Sequence, residues 1–179
     1  WSSQYKASEL KPIPEMDQMI EWLGKNIPED DGRVSLVHGD YRLDNLMFSS
    51  DNERVIAVLD WELSTLGHPY ADLAYQCMGM RLPSGNGPGA SSGLLGIDSD
   101  ALGIPSEKDY IASYCQRMGI DKLDNWNFYL AFSFFRLAAI AQGVAKRAAD
   151  GNASSKAAGG IATMVQPIAA NALAIINEQ

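Results

Sequence analysis

Apolar positions in the first half of the chain recur in two different periods. Met16, Met19, Ile20, Leu23 and Ile27 fall three and four residues apart, which predicts an amphipathic helix opening at Pro14 and ending before Pro28. Residues 34–37 then form a short apolar run, and residues 46–48 and 55–59 form two more, separated by the polar turn Ser49-Ser50-Asp51-Asn52-Glu53. Short runs joined through such a turn predict a strand followed by a β-hairpin. The second half returns to helical spacing. Residues 69–77 read as one helix, and residues 79–105, rich in Gly, Ser and Pro and without periodicity, read as a long loop. Ser106 with Asp109 makes a capping-box start for a helix continuing through residues 110–118. Asp124 is expected to cap a longer helix over residues 126–149, with apolar side chains on both sides and therefore a central position. The Ala-rich tail, residues 155–176, reads as helical and bent or restarted at Pro167.

This pattern predicts a mainly helical α+β unit with one small hairpin. A length of 179 residues with 46% apolar content suffices for a single buried core, and no internal repeat or second domain is evident. Net charge of −8 argues against a nucleic-acid partner. Arg136, Gln142 and Lys146 interrupt the longest apolar stretch, so no membrane span is expected. Cys77 and Cys115 sit in apolar helical contexts and read as buried free thiols, which fits a cytoplasmic or organelle-matrix protein.

The predicted strands change meaning once their ends are read. The strand over 34–37 delivers His38-Gly39-Asp40, Asn45 directly precedes the hairpin, and Asp60 directly follows it. Phosphoryl transfer from ATP needs an acceptor for the incoming hydroxyl's proton and oxygen ligands that hold Mg²⁺ on the phosphates. Asp40 suits the first task, and Asn45 and Asp60 suit the second as metal and nucleotide ligands. Arg42 lies where kinases of the Ser/Thr type carry a Lys aimed at the transferring phosphate, and its competing reading is a solvated loop residue. His38 and Asp72 read as structural supports of the catalytic loop, and Glu62 as a residue that could reach the metal through water. The glycines of Gly85-Asn86-Gly87-Pro88-Gly89 lack a preceding strand and read as a flexible segment rather than a phosphate loop. Two histidines are too few for a His-rich dinuclear hydrolase, and a Gly-x-Ser-x-Gly elbow is missing.

His38-Gly39-Asp40, Asn45, Leu59-Asp60-Trp61, Gly67-His68-Pro69 and Asp72-Leu73-Ala74 resemble the signature of the aminoglycoside phosphotransferase and choline kinase superfamily. Trp1-Ser2-Ser3-Gln4-Tyr5, Leu59-Asp60-Trp61-Glu62-Leu63-Ser64-Thr65-Leu66-Gly67, Asn125-Trp126-Asn127-Phe128-Tyr129, Phe134-Phe135-Arg136 and Gln142-Gly143-Val144 resemble more specifically the phosphotransferase-like domain associated with acyl-CoA dehydrogenases. The resemblance implies a two-lobed kinase fold using ATP and Mg²⁺, with the hydroxyl of a small molecule as acceptor. For the subgroup it implies a hydroxyacyl thioester such as a 4-hydroxyacyl-CoA, and an acyl-CoA dehydrogenase domain as a partner. No glycine-rich loop, strand-borne Lys or paired helix Glu precedes His38. Residues 1–179 are therefore expected to be the C-terminal lobe of a protein-kinase-like fold, with the N-terminal nucleotide-binding lobe absent and the isolated lobe inactive. Competing readings are a non-catalytic pseudokinase-like module that binds a ligand or partner, and an aminoglycoside or choline-type kinase. A homodimer of the lobe through exposed apolar surface is a further expectation.

Overall fold

The computed structural model describes residues 1–85, 93–152 and 158–178. Gly85 is thus described, whereas the rest of the Gly85–Gly89 segment and the start of the Ala-rich tail lie outside the described residues. Among the described residues, seven α-helices and four short strands follow one another in the order α1 (Ser2–Ser8), α2 (Pro14–Lys25), β1 (Ser35–Val37), β2 (Leu46–Phe48), β3 (Val55–Val58), β4 (Thr65–Gly67), α3 (Tyr70–Arg81), α4 (Glu107–Met118), α5 (Trp126–Ala149), α6 (Ala158–Ile161) and α7 (Val165–Ile176).

α5 is the axis of the core. Leu130, Ala131, Phe134, Phe135, Ala138 and Ala141 are buried on it, and α1, α2, α3, α6 and α7 all pack against it. By length and composition α5 is also apolar enough to cross a membrane, so Arg136, Gln142 and Lys146 do not interrupt it by that criterion. Its most apolar window is nonetheless 56% buried against neighbouring helices. Small alanines at 138, 139, 141 and 145 are buried there beside the large rings of Phe134 and Phe135.

α2 begins with Pro14 at its first turn and buries Met16, Met19 and Leu23, three members of the predicted stripe. Ile27 is 70% exposed, because the helix ends at Lys25 before that position could complete the face. α1 was not visible in the periodicity. It docks by burying Tyr5, and its end is fixed by Gln142 Nε2, which donates to the Ser8 carbonyl at 2.8 Å. α3 runs to Arg81, four residues beyond the expected end, since a single Gly79 inside a helix costs only about 1 kcal/mol. Arg81 then bridges Glu107 at 2.6 Å and Glu178 at 2.8 Å, tying α3 to the start of α4 and the end of the chain.

Ser106 caps α4 as predicted, accepting a hydrogen bond from the Asp109 N–H at 3.1 Å. Asp124 does not cap α5. The capping position is Asn125, held at φ 55° without a side-chain cap bond, and Asp124 pairs with Lys122 instead. Pro167 lies in the first turn of α7, after a short 3₁₀ segment, so the tail restarts near it, where a proline's missing N–H does no harm. The strands form two separate two-stranded antiparallel sheets. β2 pairs with β3 as expected, with a register irregularity between Met47 and Phe48. β1 pairs with β4, a strand of three residues that the sequence pattern does not announce.

Candidate active site

The two sheets place the candidate residues at their ends. β1 stops at Val37, and the chain turns through His38 and Gly39 to Asp40. Gly39 has φ 84°, and a Cβ there would lie 2.5 Å from the Leu63 carbonyl oxygen, so the turn needs glycine both for its backbone and for the close approach. Asp72, in the first turn of α3, accepts the N–H of His38 at 2.7 Å and that of Gly39 at 2.9 Å. A carboxylate accepting two backbone donors is a charge-assisted anchor stronger than a neutral pair. On the other side, Arg136 from the middle of α5 donates through Nη2 to the Gly39 carbonyl. The peptide before Asp40 is thus gripped from two helices.

His38 is buried, with Nε2 2.7 Å from the Leu59 carbonyl and Nδ1 accepting the Asp40 N–H at 3.2 Å. Its ring also packs against Trp61, with centroids 4.7 Å apart. The imidazole therefore touches both the turn that carries Asp40 and the segment that leads into Asp60.

The hairpin joins Asn45 to that same segment. The Leu59 N–H donates to the Asn45 carbonyl at 2.8 Å, directly before Asp60. The Asn45 side chain turns the other way, its Nδ2 donating to the Asp40 carbonyl at 2.9 Å and to Asp40 Oδ2 at 3.1 Å. Asp60 takes φ 65°, and among the described residues it and Asn125 are the non-glycine residues with positive φ. Such strain persists only where surrounding contacts over-determine it, and it concentrates at functional sites. Asp40, Asn45, His38 and Asp72 thus form one continuous hydrogen-bond network, which reaches the residue before Asp60 through the Leu59 backbone.

Arg42 lies beside this network with its guanidinium engaged by Asp44, to which Nε donates at 2.8 Å. Its pKa is raised first by that hydrogen bond, with the Asp40 charge contributing. Glu62 is exposed in the 3₁₀ turn after Asp60.

Two neighbours of the site were not found from the sequence. Tyr75 lies one turn beyond Asp72 on α3, and its pKa is raised first by burial and then by the Asp40 carboxylate. Arg136 stacks over the Tyr75 ring at 4.6 Å and keeps a buried Nε without a hydrogen-bond partner among the described residues. Tyr75 had no local motif; Arg136 stood in the Phe134-Phe135-Arg136 stretch of the resemblance but was given no role at the site, although a lone guanidinium in an apolar helix centre was an available signal.

Among the described residues no cluster of three His, Cys, Asp or Glu side chains could hold a metal ion. Asn45 and Asp60 offer a smaller set, one amide oxygen and one carboxylate. Because Asn45 Nδ2 is committed to Asp40, its remaining polar atom is the oxygen, the donor type that a hard divalent cation takes.

The profile of the phosphotransferase enzyme family matches residues 1–96, which include every residue of this network except Arg136. The chain belongs to that family. A crystal structure from Ralstonia eutropha JMP134, of a protein provisionally assigned as an aminoglycoside phosphotransferase, superposes on the whole chain with a TM-score of 0.90 and 48% sequence identity, and 54% of that protein is covered. Acyl-CoA dehydrogenase family member 10 of Mus musculus is 52% identical over 158 residues, 88% of this chain and 14% of that protein. Acyl-CoA dehydrogenase family member 11 of Homo sapiens is 47% identical over 174 residues, 97% of this chain and 22% of that protein. The chain therefore spans about a fifth or less of the curated relatives' length. Family membership gives the fold as kinase-like, with mixed helices and a few strands.

Proposed function

We propose that this chain is the C-terminal lobe of an ATP- and Mg²⁺-dependent phosphotransferase that moves the γ-phosphate to an alcohol hydroxyl of a small molecule. The observation that carries the reading is the double contact of Asn45, whose side chain holds Asp40 while its backbone is bonded to the residue before Asp60. Base and metal ligands then move as one unit.

In this reading the acceptor hydroxyl donates a hydrogen bond to the Asp40 carboxylate. Its oxygen bonds to the γ-phosphorus as the bond from that phosphorus to the β–γ bridging oxygen breaks. ADP leaves, and the hydroxyl proton passes to Asp40. Asn45 and Asp60 would hold Mg²⁺, which when bound neutralises charge on the phosphates. Asp72, Arg136 and His38 fix the direction of Asp40 before substrate arrives, which is where most of the rate advantage of such a site resides. Arg42 would contact the transferring phosphate by exchanging Asp44 for it.

The nucleotide-binding lobe would lie outside these residues, against exposed side chains such as Leu36, Ile56, Trp61, Leu63 and Leu66. Relatives named as acyl-CoA dehydrogenase family members favour a hydroxyacyl thioester as the acceptor and a dehydrogenase as the neighbouring domain.

The test is phosphate transfer by the full-length protein, assayed with ATP across hydroxyacyl-CoAs, choline-like amines and aminoglycosides while Mg²⁺ is varied. Transfer to one class, with Asp60→Ala raising the Mg²⁺ requirement at least about tenfold, is the expected result. An Asp60→Ala protein with unchanged Mg²⁺ dependence would remove that residue from the metal site. Complete lack of transfer by the wild type would favour a binding module.

A further inference from the structure

α3 ends at Arg81 because of Pro83. The residue before a proline is pushed out of the helical region, and Leu82 is extended at φ −84° and ψ 139°. The proline also has no N–H to offer the Gly79 carbonyl one turn back. That orphan acceptor is taken by the Leu94 N–H at 2.9 Å, and the Leu95 N–H donates to the Leu82 carbonyl at 2.9 Å. Gly93 comes so close that a Cβ there would lie 1.9 Å from the Leu82 carbonyl oxygen. Residues 93–95 are thus laid against the end of α3. Leu82 and Leu94 together line a cavity of about 700 Å³ that reaches Tyr41 and Arg42 on the catalytic loop.

An ionic clasp fastens the same end. Arg81 donates through Nε to Glu107 Oε2 at 2.6 Å and through Nη2 to Glu107 Oε1 at 3.0 Å. Its Nη1 donates to the two oxygens of Glu178 at 3.0 and 2.8 Å. Trp126 Nε1 adds a bond to Glu107 Oε1 at 3.3 Å, and Asn127 Nδ2 one to the Glu178 carbonyl at 3.0 Å. The Arg81 and Glu107 side chains are 28% and 19% exposed, so water screens this pair only in part. Glu107 opens α4, so the chain that leaves α3 at Arg81 is tied back to it 26 positions later. Without the guanidinium, Glu107 and Glu178 would face each other as like charges.

We propose that Arg81 is a positioning residue of the phosphotransferase site that acts on acceptor binding: with Glu107 and Glu178 it fixes where residues 93–95 lie against Leu82, and so the shape of the wall beside Tyr41 and Arg42. The inference rests on the phosphotransferase reading and adds to it a control of specificity remote from Asp40. The rest of α3 is held independently, because Leu73, Ala74, Cys77 and Met78 bury it in the core. Asp72, about 14 Å from Arg81 along the helix axis, therefore keeps its grip on the catalytic loop when the clasp is opened.

Arg81→Gln in the full-length protein tests it. KM for a 4-hydroxyacyl-CoA should rise at least about fivefold, while kcat and KM for ATP stay within about twofold of wild type. Hydrogen exchange, read by mass spectrometry on peptides covering Leu94 and Leu95, should become at least about tenfold faster. Arg81→Lys, whose ammonium cannot fork onto both carboxylates, should fall between wild type and Arg81→Gln. Should Arg81→Gln not fold, Glu178→Gln removes only the more exposed pair and should move both readouts in the same direction. Unchanged exchange in a folded variant overturns the inference, as does faster exchange with an unaltered acceptor KM or a loss confined to kcat. Wild-type protein that transfers phosphate to none of the acceptors defeats the phosphotransferase reading and the role given to Arg81 within it. The exchange rates then still decide whether the clasp holds residues 93–95.

Discussion

His38 Nε2 and the Leu59 carbonyl oxygen lie 2.7 Å apart, so one buried ring links the turn carrying Asp40 to the segment entering Asp60. Removing the ring leaves each loop held from its own side only. His38→Ala should therefore lower stability by about 2 kcal/mol and slow phosphate transfer by about 100-fold. Urea unfolding and steady-state kinetics would measure both. A variant that loses stability but keeps its turnover would show that the link is not needed to position Asp40.

Gly39 cannot be replaced cheaply. Alanine there must adopt φ 84° and bring its Cβ to 2.5 Å from a backbone oxygen of Leu63. The atom in the way is main chain and cannot swing aside. Gly39→Ala should cost about 3 kcal/mol or more in urea unfolding. A cost under about 0.5 kcal/mol would mean that the turn relaxes freely.

Arg136 reaches the same peptide from α5. Arg136→Met keeps the length of the side chain and its packing against Tyr75 but leaves the Gly39 carbonyl without that donor. Because Arg136 acts through the loop rather than on the substrate, kcat should fall by roughly tenfold or more with little change in KM for ATP. A rise in KM alone would place Arg136 in binding rather than in positioning.

Burial pushes the Cys77 thiol up to about 12, from an ordinary value of 9.0. The folded state thus favours the neutral thiol. Its contribution to stability is fully present below pH 9 and is lost as pH rises toward 12. Native protein at pH 8.5 should resist iodoacetamide at Cys77 and become labelled there in urea, with the site located by mass spectrometry. Labelling in the native state would contradict this burial.

Much of this arrangement could be read from local pattern. The stripe of α2, the β2–β3 hairpin, the Ser106 cap and the central helix α5 each follow from residues close in sequence. What escaped depends on distant partners. α1 has seven residues and buries only Tyr5, too little for a period to emerge. β4 spans three residues and exists because β1 lies beside it. Asn125 rather than Asp124 precedes α5, in a left-handed conformation that Asn tolerates better than most residues. At the site, the spacing of His38, Asp40, Asn45 and Asp60 marked the loop ends, while the grip of Arg136 on Gly39 crosses 97 positions. No window along the chain contains both.

Phosphate transfer by Asp40→Asn in the full-length protein is the most direct measurement of the central claim. The amide keeps the shape of the side chain, so ATP binding should persist while transfer to the acceptor falls by at least about 1,000-fold. A variant that still turns over within about tenfold of wild type would contradict the assignment of Asp40 as the base.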